Sequence, residues 1–207
     1  MPKISRRRWV WLSVIVVACL IIAILASNWT EIRIRWLISR IGKDEYYVSG
    51  HLAVDASGRE LKKIGRRAVP YLVRAINNPN ENVRREIVLT LWGIGDKSAA
   101  PALLQSLSDS SPHVREMAIL AVARIGIKEG IPRLRVMAQS ADEHTYNRRA
   151  ALWALGHLGD EASRPVLLRA LEDPDPSIRR DAADGLAALE QQHALKGALP
   201  AEPAAPR

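Results

Sequence analysis

Four stretches of the chain can be laid over one another: NVRREIVLTLWGIGD (residues 82–96), HVREMAILAVARIGI (113–127), YNRRAALWALGHLGD (146–160) and SIRRDAADGLAALEQ (177–191). Their shared arginines, Arg84, Arg115, Arg148 and Arg179, are spaced 31, 33 and 31 residues apart. Working outward, Pro70, Pro101, Pro132 and Pro165 recur at 31, 31 and 33, each opening an apolar run: PYLVRAI, PALLQSL, PRLRVMA and PVLLRAL. Gly65, Gly95, Gly126 and Gly159 precede those prolines by five or six residues. Three landmarks holding one period mark a stack of repeated supersecondary units.

Each unit reads as a helix pair. The first helix starts with Pro near its opening turn, where the missing N–H costs nothing. It ends in a polar turn: NNPNE, SDSSP, SADEH or EDPDP. A longer second helix follows, and in the first three units Gly stands just after its last apolar residue, the usual C-terminal stop. One pair cannot bury its apolar face alone, so neighbouring pairs must stack. Composition agrees: Phe is absent and aromatics make up 5% of the chain, which suits helices packed through small and branched aliphatic residues.

The pattern resembles HEAT-like repeats of the short kind, often called phycobilisome-lyase-type HEAT repeats. The resemblance spans about residues 57–189. It is carried by D-P-x-x-x-[VI]-R-R, present as Asp173, Pro174, Ile178, Arg179 and Arg180, and by A-L-G-x-[LI]-G-D, present from Ala154 to Asp160. The expected fold class is all-α: a right-handed α-solenoid of about four helix pairs plus one N-terminal transmembrane helix. The expected units are a partial cap at 57–65 and repeats near 66–95, 96–126, 127–159 and 160–189. Ser57 and Glu60 read as a capping box for the cap helix. In the last unit Glu190 replaces the terminal Gly, and residues 190–207 read as a disordered tail.

Before the repeats, Trp9 to Trp29 reads WVWLSVIVVACLIIAILASNW, 21 residues without a charged side chain. As a helix it is roughly 31 Å long, the thickness of a bilayer's hydrocarbon core. Trp9, Trp11 and Trp29 fall near its ends, where indoles favour the lipid–water boundary. The run is longer than a signal peptide's apolar stretch, and Ile24 and Leu25 weaken a cleavage site after Ala26 or Ser27. An uncleaved anchor at 9–29 is therefore expected, with a basic tail at 1–8 and a juxtamembrane linker or helix at 30–56. The tight cluster Lys3, Arg6, Arg7 and Arg8 favours the N-terminus inside, placing the repeats outside the cytosol (the periplasm, in a bacterium). In TEIRIRWLISRIG, Thr30 reads as an N-cap and Gly42 as a stop. Ile34, Leu37, Ile38 and Ile41 then share one face. That face can lie on anionic lipid or, if the membrane helix simply continues, on the first repeat.

The net charge of +8 would ordinarily suggest nucleic acid as a partner. Residues 1–43, however, carry eight basic side chains against one acid, whereas residues 44–189 net only +1. The basicity belongs to the flanks of the apolar run, and no nucleic-acid partner is expected. Cys19 is the single cysteine and lies in that run, so an intrachain disulfide is impossible.

No catalytic residues, cofactor site, metal site or small-molecule partner are expected. His51, His113, His144, His157 and His193 are scattered without paired spacing, and there is no phosphate loop or nucleophile elbow. Helical periodicity puts Val83, Ile87, Thr90, Leu91 and Ile94 on the buried side of the first repeat's second helix. The opposite side carries Arg85, Leu89 and Gly93. Its counterparts are Glu116, Leu120 and Arg124, then Arg149, Trp153 and His157, then Arg180, Asp184 and Ala188. The resemblance implies that second helices line a concave surface. On it Arg85, Leu89, Leu120, Arg149, Trp153, His157 and Arg180 would form a groove for a protein or peptide, an apolar stripe with a charged rim. The competing assignment has them touch the neighbouring second helix. The recurring arginines Arg84, Arg115, Arg148 and Arg179 read as structural, bonding turn carbonyls or acids near Asp96, Asp160 or Asp173. Trp92, standing where other units have Ala or Gly, reads as filler at a repeat junction.

The expected function is therefore a membrane-anchored scaffold, touching lipid through 9–29 and a protein partner through the groove. The alternatives are a phycobilisome-lyase-like protein acting on a tetrapyrrole-bearing target, or a nucleic-acid-binding solenoid.

Overall fold

The computed structural model describes residues 6–42 and 56–198, with the side chains of 6–13, 19–27 and 196–198 outside that description. Its described residues form ten α-helices and no strands. They are α1 (Arg6–Arg40), α2 (Ala56–Ile64), α3 (Val69–Ala75), α4 (Glu81–Ile94), α5 (Ala100–Ser106), α6 (Pro112–Ile125), α7 (Ile131–Gln139), α8 (Thr145–His157), α9 (Arg164–Ala170) and α10 (Pro176–Ala198).

The repeat chemistry decides where each helix starts and stops. The short helices α3, α5, α7 and α9 each carry Pro in the first two positions and follow a single 3₁₀ turn. The longer α4 and α6 end at Gly95 and Gly126, whose φ values of 71° and 77° lie in the left-handed region that a side chain disfavours. In the last unit that device is missing. With Glu190 in place of the glycine, α10 runs on to Ala198. Residues 190–198, expected as disordered tail, are thus helical, while 199–207 lie outside the described residues.

Helices α2, α4, α6, α8 and α10 form one layer and pack against one another from unit to unit. The short helices form a second layer whose neighbours stand farther apart. The long-helix layer is therefore the inner side of the curve. Between the layers runs one continuous aliphatic core, from Ile34 through Leu61, Leu72, Ile87, Leu103, Ile119, Leu134 and Leu152 to Ile178, all fully buried. Each such side chain contributes about 2 kcal/mol relative to leaving it in water.

Helix α1 changes the expected N-terminal organisation. It continues unbroken through Thr30, so there is no fresh start at an N-cap. Ile34, Leu37 and Ile41 are 0–4% exposed and lie against α2 and α3. The last two turns of α1 thus supply the first helix of the capping pair, and α2 the second. The face offered to lipid in one of the two sequence readings is inside the protein. Tyr71 of α3 lies between Arg35 of α1 and Arg74, whose guanidinium carbons stand 5.8 and 5.9 Å from its ring centre, so α1 and α3 meet there. The capping box does not form as expected. Helix α2 begins at Ala56, which puts Ser57 inside the first turn, and the Glu60 carboxylate accepts from Lys63 and Arg33 instead.

Among the described residues no helix is long and apolar enough to cross a membrane. Most side chains of the expected span, 9–29, lie outside those residues.

Candidate protein-binding face

The recurring arginines are a ladder between units. Arg84 Nη1 donates to the carbonyl oxygens of Asn78 and Pro79 in its own turn, at 2.8 and 3.1 Å. Its Nε and Nη2 donate to both oxygens of Asp109 in the next unit's turn, each at 2.8 Å. Arg115 repeats the arrangement one unit on, from the carbonyls of Asp109 and Ser110 to Glu143 at 2.6 Å. Arg148 reaches Asp173 at 2.5 Å. Arg179, in the last unit, keeps its two turn carbonyls at 2.8 and 2.9 Å. A planar fork with donors on two sides suits this dual task, and lysine could not perform it. Asp96 and Asp160 serve other ends: Asp96 caps the following 3₁₀ turn through Ser98 and pairs with Arg66, and Asp160 holds Arg135 and Ser163. Of the acids expected for the ladder, Asp173 is in it; the turn acids Asp109 and Glu143 complete it.

Burial pushes the carboxyls of Asp109 and Glu143 up, but the facing arginines and backbone N–H donors outweigh it and hold both below the ordinary range. The same balance, with Ser163 and Arg135 as donors, lowers Asp160. Hydrogen bonding to Asp109 in turn raises Arg84. These groups are occupied by architecture, which leaves the inner face of the second helices for other work.

On that face the seven candidate residues divide. Leu89 and Leu120 are half-buried yet lie outside the core cluster. Arg85, one turn before Leu89, has a buried Nε with no hydrogen-bond partner among the described residues. Arg180 is exposed. Leu89, Leu120 and Arg180 are thus presented rather than absorbed, whereas Arg85 keeps its Nε buried. Trp153 instead packs against the core, and its ring lies 3.9 Å from that of His157, whose Nδ1–H donates to the Trp153 carbonyl at 3.0 Å. Arg149 is paired at 2.5 Å with Asp181 of the next unit. Three of the seven therefore touch their own helix or the neighbouring one, as the competing assignment had it, and the free part of the stripe centres on Leu89 and Leu120. Around it, Arg124 sits 5.5 Å over the Trp92 ring, and Trp92 packs on the core at the junction.

One cluster escaped the sequence reading. Tyr146 lies between His113, stacked at 5.8 Å, and His144, at 4.3 Å. The two histidines come from different units, and no short spacing announces them. Among the described residues no three His, Cys, Asp or Glu side chains converge as a metal site would require.

Helix pairs stacked in two layers, laced by one arginine per unit, define an α-solenoid. A model of HEAT repeats matches residues 69–144 and 132–201, and the chain belongs to the HEAT-repeat family. Among solved structures, the complex of CpcE and CpcF of phycocyanin lyase from Nostoc sp. PCC7120 is similar. It is 22% identical over 74% of this chain and 97% of that one, with a TM-score of 0.63. Human deoxyhypusine hydroxylase is also similar, at 20% identity over 76% of this chain and 53% of that one, with a TM-score of 0.54. Both likenesses concern the fold. No curated sequence matches the chain.

Proposed function

We propose that the chain is a non-enzymatic scaffold that binds a protein or peptide along the inner face of its second helices, held to a membrane by residues 9–29. The observation that carries the binding role is the row formed by Leu89 and Leu120, apolar side chains outside the core, with Arg85 one turn before Leu89. Apolar anchors next to a cation are what a helical or extended peptide uses for recognition. Replacing Leu120 and Leu89 by Ser should abolish partner capture while leaving the melting temperature unchanged; undiminished capture would sink the assignment.

The anchor role draws on Val14, Ile15, Val16 and Val17, each 52–56% exposed. Four consecutive helical residues point in four directions, so among the described residues no segment covers α1 there on any side. An apolar helix bare on every face calls for lipid. Tethering raises the local concentration of whatever the repeats bind. The N-terminal arginine cluster favours the repeats outside the cytosol. Resistance to alkaline extraction, with a C-terminal reporter active only outside the cytosol, is the expected outcome; release into the soluble fraction would refute the anchor.

A second reading, a lyase-like action on a tetrapyrrole-bearing protein, draws on the fold shared with the CpcE and CpcF complex. Incubation with a bilin and an apo-phycobiliprotein would yield a coloured covalent adduct under this reading and none under the scaffold reading.

A further inference from the structure

The outward side of the last turns of α1 meets the solenoid through Arg33, which pairs with Glu60 of α2, and otherwise carries large exposed side chains. Trp29, Ile32, Arg33, Trp36 and Arg40 follow one another at helical spacing and form a stripe about 120° round the helix from Ile34, Leu37 and Ile41. Trp29, Ile32 and Trp36 are 63%, 42% and 54% exposed. With Arg33 they line a shallow groove of about 530 Å³. The Arg40 guanidinium lies 4.9 Å from the Trp36 ring centre. Arg33 meets Glu60 in a solvent-exposed pair at 2.8 Å, which is worth little. The only acid on this part of α1, Glu31, lies about 155° round the helix from the stripe.

Two indoles, an isoleucine and two guanidinium groups, with no acid among them, make a surface that wants apolar depth and negative charge together. A second copy of the chain is a poor occupant, because it would set arginine against arginine. A phospholipid headgroup layer supplies both needs, since indoles settle at that level and guanidinium forks grip phosphate. The stripe also starts where the uncharged run ends, and Trp36 lies about 10 Å farther along the axis, on the order of the headgroup layer's depth.

We propose that the Trp29–Ile32–Arg33–Trp36–Arg40 stripe docks on the headgroups of an anionic bilayer. The inference rests on reading 9–29 as the anchor. Because the opposite side of the same two turns is buried in the first repeats, docking fixes the tilt of the whole solenoid against the membrane. The anchor and the binding face then become one rigid body.

The test uses the full chain with Cys19→Ser and a single nitroxide on Ile32→Cys or, as control, Lys97→Cys. The labelled protein is placed in nanodiscs of phosphatidylcholine with or without phosphatidylglycerol. Power-saturation EPR then reads how well a water-soluble nickel chelate reaches each label. The label at 32 is expected to be shielded several-fold relative to 97 in the anionic discs, and the shielding to fade at high salt. Arg33→Gln with Arg40→Gln should weaken docking about 25-fold, since each cation near an anionic surface is worth about fivefold. The salt series on the otherwise unaltered chain keeps the test decisive if that variant folds poorly. A label at 32 as exposed as the one at 97, in protein retained by the discs, overturns docking and leaves the anchor standing. Protein that never enters the discs removes the anchor and docking together. Spin–spin broadening at 32 regardless of lipid charge would assign the stripe to a second copy and likewise overturn docking.

Discussion

Replacing glycine by alanine inside a helix ordinarily stabilises a protein by up to about 1 kcal/mol. At Gly156 the structure demands the reverse. A Cβ built there lies 2.4 Å from the carbonyl oxygen of Gly185, 2.6 Å from its Cα and 2.8 Å from its carbonyl carbon. All three are backbone atoms of α10, so no rotamer change can relieve them. Carbon atoms pack at about 3.5–4 Å, and α8 and α10 would have to part by roughly 1 Å. Leu152, Leu155, Ile178 and Ala182 are fully buried on these two helices and would lose contacts. Overpacking of this kind costs about 1–3 kcal/mol. Set against the gain in propensity, Gly156→Ala should be destabilising by about 1–2 kcal/mol, lowering the melting temperature by roughly 2–8 °C for a domain of this size. Gly93 provides the control. There the added Cβ meets only the Lys62 side chain, at 2.6 Å, and that flexible chain can swing away. Gly93→Ala should raise the melting temperature by roughly 2–4 °C. Circular dichroism melts of both variants in one detergent give the answer. If Gly156→Ala also raises the melting temperature, the close crossing of α8 and α10 is wrong.

The arginine ladder predicts that Arg115→Met costs about 3 kcal/mol, because the nearly buried Glu143 carboxylate loses its cation, keeping Asn147 and the His144 N–H, and two turn carbonyls lose their donor. A double-mutant cycle with Glu143→Gln in guanidinium should show coupling of about 1.5–2 kcal/mol; additive effects would dissolve the pairing. The carboxyls of Asp109, Glu143 and Asp160 are held below their unfolded values of about 3.9 and 4.3. Their contribution is therefore complete above those values and lost as pH falls through the lowered folded ones. Melting temperature should hold from pH 7 to about 5 and drop below about 4, and a flat profile down to pH 3 would contradict the balance described. Glu190→Gly restores the missing stop and should free residues beyond it, so that limited proteolysis cuts between 190 and 198 only in the variant. Gln192, which now donates to the His157 carbonyl at 2.6 Å, would lose its place.

The repeat was legible because its landmarks act locally: Pro at an opening turn, Gly at a left-handed stop and an arginine that bonds its own turn carbonyls. The ladder's second half was only partly legible. A single unit's spacing says nothing of which turn acid in the next unit comes within reach, and Asp96 and Asp160 competed with Asp109 and Glu143. Thr30 carries a cap signal that tertiary packing overrides: once Ile34, Leu37 and Ile41 are buried on α2 and α3, a continuous helix is the cheaper solution. Glu190 is visible in the sequence as a departure from the repeat, but losing a stop lets a helix continue rather than fray, and α10 does so to Ala198. Periodicity separates the buried side of the first repeat's second helix, with Val83, Ile87 and Leu91, from the side that carries Leu89. It could not tell Leu120, which stays outside the core, from Trp153, whose larger ring reaches it, nor see that Arg149 finds Asp181.

The central claim is that the inner face around Leu89 and Leu120 meets a protein partner at the membrane. A photo-crosslinking amino acid placed at Leu120 in living cells tests it, with Val136, 56% exposed on the outer-layer helix α7, as the control site. The account expects a discrete adduct from position 120, recovered in the membrane fraction, and none from position 136. The same adducts from both positions, or none from 120, would contradict it.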